Sequence, residues 1–267
     1  MKRLLICLDG TWNESGQEET GSDTNVAKLF RNAQKYDGAS QASFYRQGVG
    51  TKLFEKLSGG VFGFGLYDQI QDGYAFLVDT YQPGDQVVLV GFSRGAYSAH
   101  CLASFIAQCG VLRKPRLDLA GIRASREIET LWELYCDRKT SAGELEKYIA
   151  EQCLPRDPKM IAAVAVWDTV GALGVPWEVL DEKVLAASLD KLEKRMLEFL
   201  DTNLPNQVAR GYHAVALDEQ RVPFEPSLWT GPRLADGSIE QVWFAGSHSN
   251  VGGGFTNTGL SDIALDW

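Results

Sequence analysis

One stretch constrains the fold more than any other. The apolar run Gln86–Val90 enters Gly91-Phe92-Ser93-Arg94-Gly95 directly, and the small residues Ala96, Ser98 and Ala99 follow. An unbroken apolar run marks a strand buried on both faces, the habit of a parallel sheet. The G-x-S-x-G spacing then describes a sharp strand-to-helix turn with a serine at its apex. Turning in so few residues strains the serine backbone. The flanking positions lie against neighbouring main chain, so glycine is what fits there. The pattern alone is common by chance, and a purely structural turn is the alternative reading. Set between a buried strand and a small-residue helix, it points to a nucleophile.

The rest of the chain agrees with such a sheet. Arg3–Leu8, Ala42–Arg46, Ile161–Trp167, Tyr212–Leu217 and Gln241–Ala245 read as further strands. Between them, Val26–Gln34, Tyr67–Tyr81, the elbow helix to about Ala107, Arg116–Cys153 and Trp177–Leu204 have helical spacing. Phe54–Leu66 carries four glycines among large apolar residues and reads as a loop, either buried or a hydrophobic flap that meets acyl chains. Strands alternating with helices give an α/β fold with a mostly parallel sheet covered on both faces. The 267 residues suit one large α/β domain spanning 1–267, with helical lid-type insertions at 116–153 and 177–204. A new helix begins near Leu260, so the natural chain is expected to continue past Trp267.

Composition excludes several function classes. With 26 basic against 35 acidic residues the formal net charge is -9, unsuited to nucleic acid, which needs a cationic surface. Net charge gives no attraction to an anionic membrane, although a local patch allows transient surface contact. No apolar run reaches the length of a transmembrane helix. The apolar N-terminal run stops at Asp9, too short for a signal peptide, so a cytoplasmic protein is expected. The five cysteines form no CxxC or metal-type spacing and read as free thiols. No metal or cofactor is expected.

In a parallel sheet the ligand sits at the carboxyl ends of the strands. Asp9, Ser93, Asp168, Asp218 and His248 all fall just past such ends. A serine hydroxyl needs a base. Of the three histidines, His100 lies deep in the elbow helix and His213 near a strand start, and both read as packed residues. His248, in a glycine-rich loop after the last strand, is the candidate base. The acid that orients it is Asp168 or Asp218, with Glu219 a weaker third. Oxyanion donors would be the N–H of Arg94 and those of the Gly10–Thr11 region, where Asp9 either braces the loop or merely ends a strand. A reading of Asp9 as an aspartyl-phosphate nucleophile is disfavoured, since Gly10-Thr11 follows it without the second aspartate that chemistry requires.

Five ordered segments carry a resemblance. They are Leu8-Asp9-Gly10-Thr11-Trp12-Asn13, Tyr45-Arg46-Gln47-Gly48-Val49-Gly50-Thr51, Gly91 through Tyr97, Val166-Trp167-Asp168-Thr169-Val170-Gly171, and His248 through Gly254. Together they resemble the α/β-hydrolase domain family that includes the type VI secretion phospholipase effectors. The resemblance implies an α/β-hydrolase fold, with the family's serine, aspartate and histidine on Ser93, Asp168 and His248. That favours Asp168 over Asp218. It implies a serine hydrolase acting on lipid esters through an acyl-enzyme, and export by a type VI route. A non-catalytic binding module on the same fold is the alternative. Two positions depart from the family pattern: Asn250 stands where Asp is frequent, and His100 where Arg is frequent.

Overall fold

The structure, a computed structural model, describes residues 1–10, 23–48, 62–113, 120–137, 142–171, 203–231 and 238–267. Strand β1 (Arg3–Leu8) shows why the sheet has two covered faces. Leu4, Ile6 and Leu8 point into one apolar core and Leu5 and Cys7 into another, on opposite faces, as the two-residue period of a strand dictates. The other strands are β2 (Gln41–Arg46), β3 (Gln86–Phe92), β4 (Ile161–Trp167), β5 (Val208–Ala216) and β6 (Ile239–Phe244). They lie in the order β2-β1-β3-β4-β5-β6, and every adjacent pair is parallel. The chain order reverses between β1 and β3. In an open parallel sheet the crevice for a ligand opens at such a reversal.

Helix α1 (Asn25–Ala33) covers the Leu5–Cys7 face, capped by Thr24, whose side chain accepts from the Ala27 N–H. The opposite face carries α2 (Phe62–Thr80) and α3 (Arg94–Cys109), which cross between strands as parallel connections require. Helix α2 starts earlier than the sequence suggested, taking in Phe62–Leu66 despite Gly63 and Gly65. Each glycine disfavours helix by about 1 kcal/mol relative to alanine. Burial of Leu66, Ile70, Tyr74 and Leu77 on one face outweighs that. Gly73 has a structural reason in the same helix: a Cβ there would sit 2.9 Å from Leu102 and 3.3 Å from Ile6. The remainder of the expected flap, 54–61, lies outside the described residues.

The stretch Arg116–Cys153 forms two helices, α4 (Ala120–Cys136) and α5 (Ala142–Gln152). They feed Ile128, Leu131, Trp132, Leu145 and Ile149 into the same core as α2 and α3, so this insertion is built into the helical layer. The other expected insertion, 177–204, lies outside the described residues up to 202. After β6 come two short helices, α6 (His248–Gly252) and α7 (Gly259–Asp266). Asn25 ties the two ends of the chain together, its Nδ2 donating to the Val251 and Ser261 carbonyls at 2.9 and 2.8 Å. All five cysteines are free thiols. Among the described residues no helix is long and apolar enough to cross a membrane.

Candidate active site

The elbow after β3 is built by exclusion of side chains. A Cβ on Gly91 would lie 2.6 Å from Ala96 Cα, and one on Gly95 would lie 2.6 Å from the Leu8 carbonyl carbon. Only glycine lets the turn press against β1. The strain falls on Ser93, with φ 58 and ψ -125, a backbone region that non-glycine residues occupy at a cost of about 1–3 kcal/mol. The turn is held by main-chain bonds. The Ser93 N–H donates to Trp167 O at 3.1 Å, and Ser93 O accepts from Ala96 and Tyr97.

Asp168 follows β4 in a left-handed conformation (φ 39) and is fully buried. Its Oδ1 accepts from the Ala216 N–H at 2.8 Å. Its Oδ2 lies 2.6 Å from His248 Nδ1. A carboxylate accepts, so Nδ1 carries the proton and Nε2 is left as the basic nitrogen. The structure thus brings Asp168, not Asp218, to the imidazole. Asp218 instead grips the main chain beside it: its Oδ2 accepts from the Gly246 N–H at 2.6 Å. Topology alone left these two acids open because both end a strand; which one reaches the ring depends on how the segment after β6 turns back.

His248 is the first residue of a one-turn helix rather than part of a loop. Ser247 caps that helix, and Asn250 Oδ1 accepts from the Ser247 N–H at 3.1 Å and from its hydroxyl at 3.0 Å. The imidazole is 4% exposed and packs between Phe92, centroids 4.5 Å apart, and Phe224, 4.8 Å apart. Gly252 makes the first contact possible, because any side chain there would enter the Phe92 ring. The glycine run after Asn250 was the available signal for that close approach; nothing local marked Phe224.

Gly10 lies directly beside Ser93, where a Cβ would fall 3.2 Å from Ser93 Cβ. Its N–H donates to Asp9 Oδ1 at 2.8 Å, so Gly10 is engaged by its own neighbour and is not a spare oxyanion donor; Thr11 lies outside the described residues. Asp9 is the brace, with the Thr24 and Tyr45 hydroxyls donating to its Oδ2 at 2.6 and 2.7 Å. Burial raises its pKa, opposed by these hydrogen bonds. Arg94, next to Ser93, has its guanidinium pKa lowered to about 10 by burial.

The other two histidines do not join the site. His100 is buried in α3, its ring 6.5 Å from Trp229. His213 Nε2 accepts from the Thr169 N–H at 3.2 Å and its Nδ1 lies 3.0 Å from Gln241 Oε1. Burial lowers the His213 pKa to about 4. Among the described residues no group of three or more His, Cys, Asp or Glu side chains is placed to hold a metal ion.

Glu219, the third candidate for the acid, meets the main chain of His248 and not its ring, in an arrangement with Arg221 that the sequence did not foretell. Glu219 Oε2 accepts from the His248 N–H at 3.1 Å and from Arg221 Nη2 at 2.7 Å. The Arg221 side chain, hydrogen-bonded to this carboxylate, lowers the Glu219 pKa to about 2. The Arg221 guanidinium also lies over the Phe224 ring at 3.9 Å.

Comparison with known proteins bears on the family. The sequence matches the family described as "T6SS, Phospholipase effector Tle1-like, catalytic domain" over residues 2–267. The chain belongs to this family. That description names the catalytic domain of phospholipase effectors, and the parallel sheet with apolar cores on both faces is the α/β architecture the sequence led us to expect. A protein of Saccharomyces cerevisiae, "Uncharacterized protein YEL023C", is 27% identical over 248 residues, covering 86% of this chain and 33% of its own. The chain thus spans 33% of the length of that relative. Among solved structures, an uncharacterized protein from Pseudomonas aeruginosa aligns at 15% identity and a TM-score of 0.49, covering 99% of this chain and 44% of that one. Thermogutta terrifontis esterase 2 aligns at 13% identity and TM-score 0.47, over 99% of this chain and 80% of its own. The carboxylesterase Cest-2923 from Lactobacillus plantarum WCFS1 also has 13% identity and TM-score 0.47, covering 100% and 84%.

Proposed function

We propose that residues 1–267 form one catalytic domain, a serine hydrolase that cleaves the carboxylic esters of phospholipids through Ser93, His248 and Asp168. The observation that carries this reading is the 2.6 Å contact between His248 Nδ1 and Asp168 Oδ2, together with a strained elbow whose Ser93 N–H is bonded to the carbonyl of Trp167, the residue before Asp168. The family description supplies the substrate class.

In this mechanism His248 Nε2 takes the proton of Ser93 Oγ as that oxygen bonds to the ester carbonyl carbon. The carbonyl oxygen becomes an oxyanion, held by the N–H of Arg94 at the start of α3 and by that of Thr11, the remaining donor the sequence pattern offers. The intermediate collapses as the C–O bond breaks, and the leaving alcohol takes the proton from Nε2. Water then gives a proton to His248 and attacks the acyl-enzyme, which releases a fatty acid and restores the serine. Asp168 keeps the imidazole in the working tautomer and stabilises the imidazolium. Contact with a lipid surface is transient in this scheme, and the family points to delivery by a type VI machine.

The test is mass spectrometry of products from mixed phospholipid vesicles, wild type beside Ser93→Ala. Fatty acid and lysophospholipid should appear with the wild type. The variant should release them about 10³-fold more slowly or less while keeping its fold. Equal product from both proteins would overturn the assignment.

A further inference from the structure

The base of this site rests on a weak support. Helix α6 has 5 residues. It is preceded by Gly246 at φ 107 and followed by Gly253 and Gly254 at φ 89 and 113, so its own main chain gives it little stiffness. The Asp168 bond restrains one edge of the imidazole and Phe92 one face, while Asn25 holds the far end of the helix through the Val251 carbonyl; the N–H of His248 itself and the other face of its ring depend on partners outside the helix. A displacement of about 1 Å at a catalytic group is enough to cost on the order of a hundredfold in rate.

We infer that Glu219, Arg221 and Phe224 are positioning residues that fix His248 for its work on Ser93. This inference rests on the proposed role of His248 as base. Glu219 takes hold of the main chain of His248 through its N–H, and Phe224 walls the imidazole with its ring. Arg221 joins the two. Its Nε donates to Glu219 Oε1 at 2.8 Å and its Nη2 to Oε2 at 2.7 Å, while the guanidinium plane rests over Phe224. The Glu219 carboxylate is 4% exposed although it sits on a connecting segment. Its Oε1 also accepts the N–H groups of Gln220 and Arg221 at 3.1 and 2.9 Å. Both oxygens are therefore committed, and the segment is folded around its own carboxylate before it meets the histidine. Such a closed, charge-assisted network is rigid. It supplies from outside the stiffness that a one-turn helix lacks. Glutamine cannot replace Glu219 in full, because its amide nitrogen would face either the His248 and Arg221 Nη2 donors or the Gln220, Arg221 and Arg221 Nε donors.

The experiment compares Glu219→Ala, Phe224→Leu, Phe224→Tyr and Arg221→Met with wild type, using p-nitrophenyl butyrate as a small soluble ester. A fluorophosphonate probe reports Ser93 reactivity. Glu219→Ala and Phe224→Leu should each lower kcat by about tenfold or more with KM within about twofold, and slow probe labelling in proportion. Arg221→Met should show a smaller loss of the same kind, and Phe224→Tyr should restore near wild-type turnover. Proton NMR should show the downfield Nδ1–H signal of the His248–Asp168 bond broadened or lost in Glu219→Ala. Wild-type kcat and labelling rates in folded Glu219→Ala would overturn the inference. Should that variant not fold, wild-type kcat in Phe224→Leu would overturn it equally. Ser93→Ala separates the two ideas. If it is inactive while Glu219→Ala and Phe224→Leu work normally, only the buttress fails. If it stays active, the hydrolase reading fails first.

Discussion

At the serine, glycines 91 and 95 let the elbow close onto β1, and the backbone has no other place to go. At the histidine, a one-turn helix between flexible glycines is tied in place by Asp168, Glu219, Asn250 and Asn25. One side of the site is held by repulsion and is encoded within five consecutive residues. The other is held by hydrogen bonds from residues scattered along the chain. Steric closure tolerates no added atom, whereas a hydrogen-bonded assembly should degrade by degrees as its members are removed.

The sharpest way to break that contrast is Gly95→Ala. Its Cβ would lie 2.6 Å from the Leu8 carbonyl carbon, where no rotamer gives relief. We expect a loss above about 4 kcal/mol or no folded protein, read by thermal denaturation. Gly10→Ala meets Ser93 Cβ at 3.2 Å and Phe92 at ordinary contact distance, 3.4 and 3.5 Å, and should cost about 1 kcal/mol. Similar losses for the two would remove the distinction.

On the hydrogen-bonded side, Asp168→Asn should keep the fold, because asparagine tolerates the left-handed backbone at φ 39. It should lower kcat by about 10³–10⁴-fold, since the amide favours the wrong imidazole tautomer. Steady-state kinetics beside a melting curve checks both halves of that statement.

A buried histidine outside the catalytic set gives a pH test. His213 has its pKa lowered from 6.5 to about 4 by burial, so between those values the unfolded chain binds the extra proton. Stability is then full above about pH 6.5 and declines as pH falls towards 4, by on the order of 3 kcal/mol. Urea denaturation across that range should show the slope. His213→Gln keeps an acceptor for Thr169 and a donor for Gln241, and should flatten it. An effect as small as that of Gly10→Ala is expected at Asn250→Ala, which removes the acceptor for the Ser247 N–H and should cost about 1 kcal/mol. Calorimetry would detect it, and an unchanged Tm would show that α6 does not depend on that cap.

Much of this organisation is legible in the sequence because the forces involved are short-range. The unbroken apolar runs at Leu4–Leu8 and ending at Val90 and Trp167 specify strands, and strand ends locate the crevice. The G-x-S-x-G spacing specifies the elbow because backbone sterics act between near neighbours. Packing across the fold had the last word elsewhere. Burial along α2 overrode the glycines of 62–66. The choice between Asp168 and Asp218 depended on how the chain after β6 returns over β4. The grip of Glu219 and Phe224 on His248 has no local pattern, since it joins the segment after β5 to the helix after β6, brought side by side by the pairing of those strands. Apolar runs and turn sterics determined the sheet and the serine elbow from sequence alone. Partners far apart in the chain cannot announce each other, so the surroundings of the base were decided by tertiary structure.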